Sequence, residues 1–328
     1  MSPLVLAGYD GSEGGRDALV LAALLALASD AKLTVASIFR FDASMPQEER
    51  DRRRGAAIRQ AATGLGKLAG APLDTRATAA GAPSPPGGLR ALAGELGAEL
   101  IAVGQSHRGA VGRVFPGGTG ERLLASSGRP VALPPRGFAL AWAQAALLPP
   151  PWLARIGVAY DGWPESYAAL HFAGKLARRS GAQLQLLMVA DPRSVTAVAP
   201  SPADVDAALL GHREAAEASL RELLERLPEV PPVSGEVLEG EPATALVQAT
   251  ELRGLDLVVA GCRDRGPLGR VLPGSVSRRL VHSAACPVIV VPSRDEPPGR
   301  ARAQTSVTGA GRALGETASA EAVVSPTT

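Results

Sequence analysis

Apolar residues come in short runs that alternate with longer amphipathic stretches, and the whole series is written twice. Leu4-Val5-Leu6-Ala7 is a buried-strand pattern that ends in the turn Gly8-Tyr9-Asp10-Gly11. Arg16 to Ser29 follows with helical spacing, Leu19, Ala22, Ala23, Ala26 and Leu27 sharing one face. Leu33 to Ile38 predicts a second strand and Pro46 to Leu68 a long charged helix. The half closes with a third strand over Leu73 to Ala79 and a helix from about Leu89 to Leu96. A fourth strand over Glu99 to Val103, a helix over Glu121 to Ser127 and a fifth strand over Pro130 to Leu133 complete it.

The second half predicts strands over Arg155 to Ala159, Gln183 to Val189, Val233 to Leu238, Asp256 to Ala260 and Pro287 to Val291. Its helices fall over Pro164 to Ser180, Pro202 to Leu227, Pro242 to Arg253 and Val276 to Ser283. Individual blocks match between the halves. Ala7-Gly8-Tyr9-Asp10-Gly11 recurs as Val158-Ala159-Tyr160-Asp161-Gly162, and Leu100-Ile101-Ala102-Val103-Gly104 as Leu257-Val258-Val259-Ala260-Gly261. Arg108 to Gly117 recurs as Arg265 to Gly274. A unit this long is a duplicated domain, not a solenoid repeat of roughly 20 to 50 residues. Short apolar strands alternating with helices call for a parallel sheet covered on both faces. The expectation is α/β: two tandem, doubly wound, Rossmann-like domains, each a five-stranded parallel sheet flanked by helices. Domain 1 takes residues 1–136, a linker 137–151, domain 2 residues 152–293, and a tail 294–328. The linker carries an apolar middle, Phe138 to Leu148, suited to packing on a domain. The tail has little to bury and is expected to be disordered.

Composition changes this picture only at its margins. At 328 residues the chain suits two domains. Aromatics make up 3%, so the cores must be built from Ala, Val and Leu. A formal net charge of +2 argues against a nucleic-acid footprint, and the basic run Arg50 to Arg54 reads as a solvated helix face. The apolar stretches Ala18 to Ala28 and Ala139 to Pro151 fall short of the ~20 residues that span a bilayer. Two cysteines make no disulfide framework. No secretory signal pattern opens the sequence. A cytoplasmic protein with neither membrane nor nucleic acid as partner is expected.

Open parallel sheets bind ligands beyond the carboxyl ends of their strands. After the fourth strand of the second half comes Gly261-Cys262-Arg263-Asp264, then nine residues, then Gly274-Ser275-Val276-Ser277 opening a helix. Glycines let backbone amides approach an anion, and a helix start adds donors and a favourable dipole. The same residues also serve as ordinary turn and cap residues, so the loop alone leaves both readings open.

Taken together, Tyr160-Asp161-Gly162, Leu187 to Pro192, Gly240-Glu241-Pro242, Asp256 to Gly261, Gly274-Ser275-Val276-Ser277 and Cys286 to Val291 resemble the universal stress protein family in its tandem form. The resemblance covers Pro3 to Arg136 and Trp152 to Ser293. It implies ATP, with or without Mg2+, as the ligand. Gly261 would open the phosphate loop, Gly274 and Ser275 would close it, and Ser277 would assist. Asp161 would lie near adenine or ribose, and the backbone of Val189 beside adenine. Asp264 stands where the family's second glycine is expected. Its carboxylate would repel phosphate unless Arg263, Arg265 and Arg270 offset it or a metal used its oxygen.

The first half keeps Asp10, Ile38, Gly104 and Gly117, but His107 takes the second-glycine position. Gly118 and Gly120 replace the two serines, with Thr119 displaced by one place. A structural role beside the second half is therefore expected for it. The resemblance also implies pairing of the fifth strands, Val131-Ala132-Leu133 with Val288 to Val291, as an intrachain pseudo-dimer, with a homodimer of chains as an open alternative.

Other chemistry is poorly supported. His107, His171, His212 and His282 lack metal-ligand spacing. Cys262 reads as a small loop residue and Cys286 as core. Ser12 reads as a helix cap, with no triad partner in view. No general acid/base pair stands out, so no strong catalysis is expected, at most slow ATP hydrolysis. Two classes remain, an ATP-binding stress or signalling protein and a nucleotide-free interaction module of the same fold.

Overall fold

The computed structural model describes residues 3–68, 71–105, 118–145, 152–196, 202–228, 230–262 and 274–292. The first half runs β1 (Leu4–Gly8), α1 (Glu13–Ser29), β2 (Lys32–Arg40), α2 (Gln47–Gly66), β3 (Thr75–Ala82), α3 (Pro85–Leu96), β4 (Leu100–Ala102), α4 (Thr119–Leu124), β5 (Val131–Leu133). After α5 (Phe138–Ala145), the second half begins with β6 (Arg155–Ala159), α6 (Pro164–Ser180), β7 (Gln183–Ala190), α7 (Arg193–Thr196) and α8 (Pro202–Arg226). It continues through β8 (Val233–Glu239), α9 (Pro242–Leu252), β9 (Leu257–Cys262), α10 (Ser275–Ser283) and β10 (Val288–Pro292).

The fold is the expected α/β arrangement. Each half is a five-stranded parallel sheet, and the two join into one ten-stranded sheet ordered β3-β2-β1-β4-β5-β10-β9-β6-β7-β8. At the centre, β10 lies antiparallel to β5, with Val288 opposite Leu133, Ile289 opposite Ala132 and Val290 opposite Val131. All six residues are buried. One apolar layer runs unbroken across the seam, from Val5, Leu19 and Leu33 through Leu153 to Ile156, Leu184 and Ile289. A second layer joins Leu6, Ile101 and Leu133 to Val258, Leu280 and Val288.

The segment between the halves is fastened to this body. Asp17 of α1, only 4% exposed, accepts from the amides of Gly137 (3.0 Å) and Ala139 (2.8 Å), which places a carboxylate at the start of α5. Trp152 donates its indole N–H to the Leu24 carbonyl at 3.1 Å and stands edge-on to Trp142.

Helix α3 starts four residues before the expected Leu89. Pro85 and Pro86 occupy its first turn, where a missing N–H costs nothing, and Ser84 caps the helix through the Gly87 amide. In the basic run, Arg53 pairs with Glu49 at 2.6 Å, Arg52 also reaches Glu49, and Arg50 lies over the Phe41 ring at 4.3 Å. Among the described residues no helix is long and apolar enough to cross a membrane.

Candidate functional site

In each half the chain builds outward from the first strand, then returns to its other side. β1 is therefore flanked by β2 and β4, and β6 by β7 and β9. The crevice at such a switch point opens between the carboxyl ends of the two strands. It is bounded by the Asp10 turn and Gly104 in the first half, and by the Asp161 turn and Gly261 in the second. Because the central pairing is antiparallel, the two crevices open at opposite edges of the sheet.

The glycine that ends each fourth strand has a steric cause. A Cβ at Gly261 would stand 2.4 Å from the Glu165 carbonyl oxygen, and one at Gly104 would stand 2.0 Å from that of Gly14. Both are contacts between a strand end and the first turn of the helix that follows the half's first strand. Packing alone demands glycine here, whatever the ligand.

Both aspartates turn back on their own loops. The Asp10 carboxylate accepts from the Ser12 amide at 3.0 Å and from the Ser12 hydroxyl, which itself accepts from the Gly15 amide at 3.0 Å. Asp161 accepts from the Trp163 amide at 3.2 Å. Both side chains remain exposed at the crevice mouths. Ile38 is half-buried against α3, so close that a Cβ on Gly88 would meet it at 2.7 Å. Val189 is half-buried near the end of β7, opposite Leu238 of β8.

The two helix starts differ in their hydroxyls, not in their caps. Gly274 is the N-cap of α10 and Gly118 that of α4, and neither supplies a side-chain cap, so both sets of first-turn amides lack an acceptor from the cap residue. Ser275 is exposed at the first helical position. Ser277 is 2% exposed and donates its hydroxyl to the Gly274 carbonyl at 3.2 Å, which turns it inward. In the first half Gly118 caps α4, Thr119 is half-buried, and a Cβ on Gly120 would meet Leu133 at 2.6 Å. Gly117, His107 and Asp264, with Arg263, Arg265 and Arg270, lie outside the described residues.

The structure gives charged groups near the second crevice a role that the motifs did not assign them. Glu241 caps α9 by accepting from the amides of Ala243 (3.2 Å) and Thr244 (2.9 Å) and from the Thr244 hydroxyl (2.6 Å). These bonds, the hydroxyl's foremost, hold its carboxyl below the usual glutamate range. Arg193 and Arg279 each approach Glu241 at 3.8 Å, and Arg193 also pairs with Asp191, whose carboxyl it holds low. Glu165, which lies in no quoted motif, stands in the first turn of α6, and its Oε2 is buried without a hydrogen-bond partner. Its signal lay in the repeat itself, since the position of Gly14 in the first half is held by a carboxylate in the second. Among the described residues no group of three His, Cys, Asp or Glu side chains is placed to hold a metal.

The model of the universal stress protein family matches residues 1–134 and again 153–292. The chain belongs to that family. A universal stress protein of Mycobacterium tuberculosis is 36% identical over 197 residues, which is 59% of this chain and 61% of that relative. A second from the same organism is 28% identical over 302 residues, covering 88% of this chain and 99% of its own length. The chain thus spans less than two thirds of the first relative and nearly all of the second. A crystal structure of a universal stress protein from Archaeoglobus fulgidus covers 90% of this chain and 100% of its own, at 18% identity and a TM-score of 0.60. That likeness supports the fold.

Proposed function

We propose that this universal stress protein is a cytoplasmic regulator that binds ATP in its second half, while the first half serves as a structural partner. The observation that carries the reading is the start of α10. Its amides lack a side-chain cap, as those of α4 do, but here an exposed hydroxyl, Ser275, stands beside them, on the carboxyl-end side of the β6–β9 crevice. An anion there would meet orphan N–H donors and the positive end of a helix. Asp161 and the end of β7 at Val189 bound the same edge, where a ribose and base would lie. The first half offers Gly118 and Gly120 in place of the two serines and so supports binding less well.

Acid extraction of the purified protein followed by nucleotide analysis tests the proposal, together with ATP-induced thermal shifts with and without Mg2+. A blank extract and no shift under either condition would reject it in favour of a nucleotide-free interaction module. The inward-turned Ser277 hydroxyl is the observation on that module's side. If Asp264 opposes the phosphates, Asp264→Gly should tighten ATP about tenfold, or ~1.4 kcal/mol, the low end of the repulsion between unit charges about 4 Å apart. Ser275→Asp should abolish the shift with little change in the ligand-free melting temperature.

A further inference from the structure

Glu165 stands in the wall of the second-half crevice. Its carbonyl oxygen and its Cβ lie 2.4 and 2.9 Å from where a side chain on Gly261 would begin, at the point where β9 gives way to the loop leading to α10. The first half makes the same close approach, but there the opposing residue is Gly14 and no side chain is present. At this contact, therefore, an acidic side chain starts in the second half only. Its Oε2 is buried and accepts no hydrogen bond, although a buried carboxylate oxygen ordinarily finds a partner. The helix start stabilises the charge through its dipole but leaves that oxygen without a donor.

We infer that Glu165 is a binding residue of the second-half site, and that its buried oxygen takes a divalent cation carried in with the nucleotide's phosphates. This rests on the nucleotide reading above. A hard cation such as Mg2+ takes one or two carboxylate oxygens and completes its shell with phosphate oxygens and water. That division of ligands fits a site where no cluster of three protein ligands exists among the described residues. The cation would be absent without the nucleotide, and the first half, with Gly14, would not recruit one.

The test compares Glu165→Gln with the unaltered full chain by calorimetric titration of ATP, in Mg2+ and in EDTA. The manganese form is followed in parallel by the line broadening of Mn2+ on adding protein and ATP. Glu165→Gln should weaken ATP about tenfold or more in Mg2+ and leave the EDTA titration within about twofold. It should also remove the protein-dependent broadening. Its ligand-free melting temperature should match or exceed that of the unaltered chain, since an unpartnered carboxylate has been neutralised. Glu165→Asp, which keeps the charge on a shorter stem, should recover part of the Mn2+ signal. Equal weakening with and without metal would overturn the cation assignment and leave the nucleotide reading standing, with Glu165 contacting the nucleotide itself. No weakening under either condition would overturn the role of Glu165 altogether. Failure of the unaltered chain to bind ATP at all would overturn both.

Discussion

At position 261 the end of β9 and the first turn of α6 meet with no room for a methyl group, and position 104 repeats the situation against α1. The obstructing atoms are backbone carbonyls, which cannot rotate aside as a side chain would. Gly261→Ala should therefore destabilise the folded chain by about 3 kcal/mol, at the upper end of ordinary overpacking, read as a drop in denaturation midpoint. If the glycine served a ligand alone, the ligand-free midpoint would not move. A second residue-scale consequence concerns Cys286. Burial, with a smaller contribution from the Asp256 charge, pushes its thiol up to about 12. The unfolded chain loses that proton first as pH rises. Cys286 thus contributes stability that is complete below the ordinary thiol range and is lost as pH climbs toward about 12. Cys286→Ala should flatten the fall in stability above pH ~9 relative to the parent, measured by urea unfolding across that range.

Helix α5 shows how one side chain can hold an element. Asp17 supplies both acceptors for the amides that open it, and Trp142 within it stands edge-on to Trp152. Asp17→Ala would leave two N–H groups in a part-buried place without partners, at a cost of about 2 kcal/mol. The segment around Ala145 should then be cut sooner in limited proteolysis, and unchanged cutting would show that α5 is held by apolar packing alone. The link between Asp17 and residue 137 was not readable in sequence, because 120 positions separate the partners. The apolar run Phe138 to Leu148 announced only that something would be covered. Periodicity located the other elements well, since Arg155–Ala159 and Pro164–Ser180 fall where the hydrophobic pattern put them. It failed at the start of α3, where two prolines carry opposite meanings inside and at the edge of a helix.

Across the whole molecule, the two halves share both apolar layers, so they should not melt independently. Ile289, fully buried in the seam opposite Ala132, is the natural probe. Ile289→Ala should cost about 2–5 kcal/mol and lower a single transition, with tryptophan fluorescence and circular dichroism still coincident. Splitting into two transitions would mean that each half is a separate folding unit. The duplication and the order of elements along each half were legible from matched blocks, while the order of strands across the sheet came from the structure. The glycines, serines and aspartates of the candidate loops were also found from sequence. What sequence could not separate was motive: Gly261 satisfies a packing constraint, and Ser277 bonds to its own helix. Glu165 was overlooked for the converse reason, since it belongs to no motif and stands out only beside Gly14.

The antiparallel seam between β5 and β10 has one more consequence. It spends both fifth strands inside a single chain, so the ratio of the serine-bearing loop to the glycine-bearing one is fixed covalently at one to one. In an assembly of separate subunits, that ratio would follow concentrations and exchange rates. Here no dilution, mixing or subunit exchange can yield a molecule with two sites of the second kind, or with none.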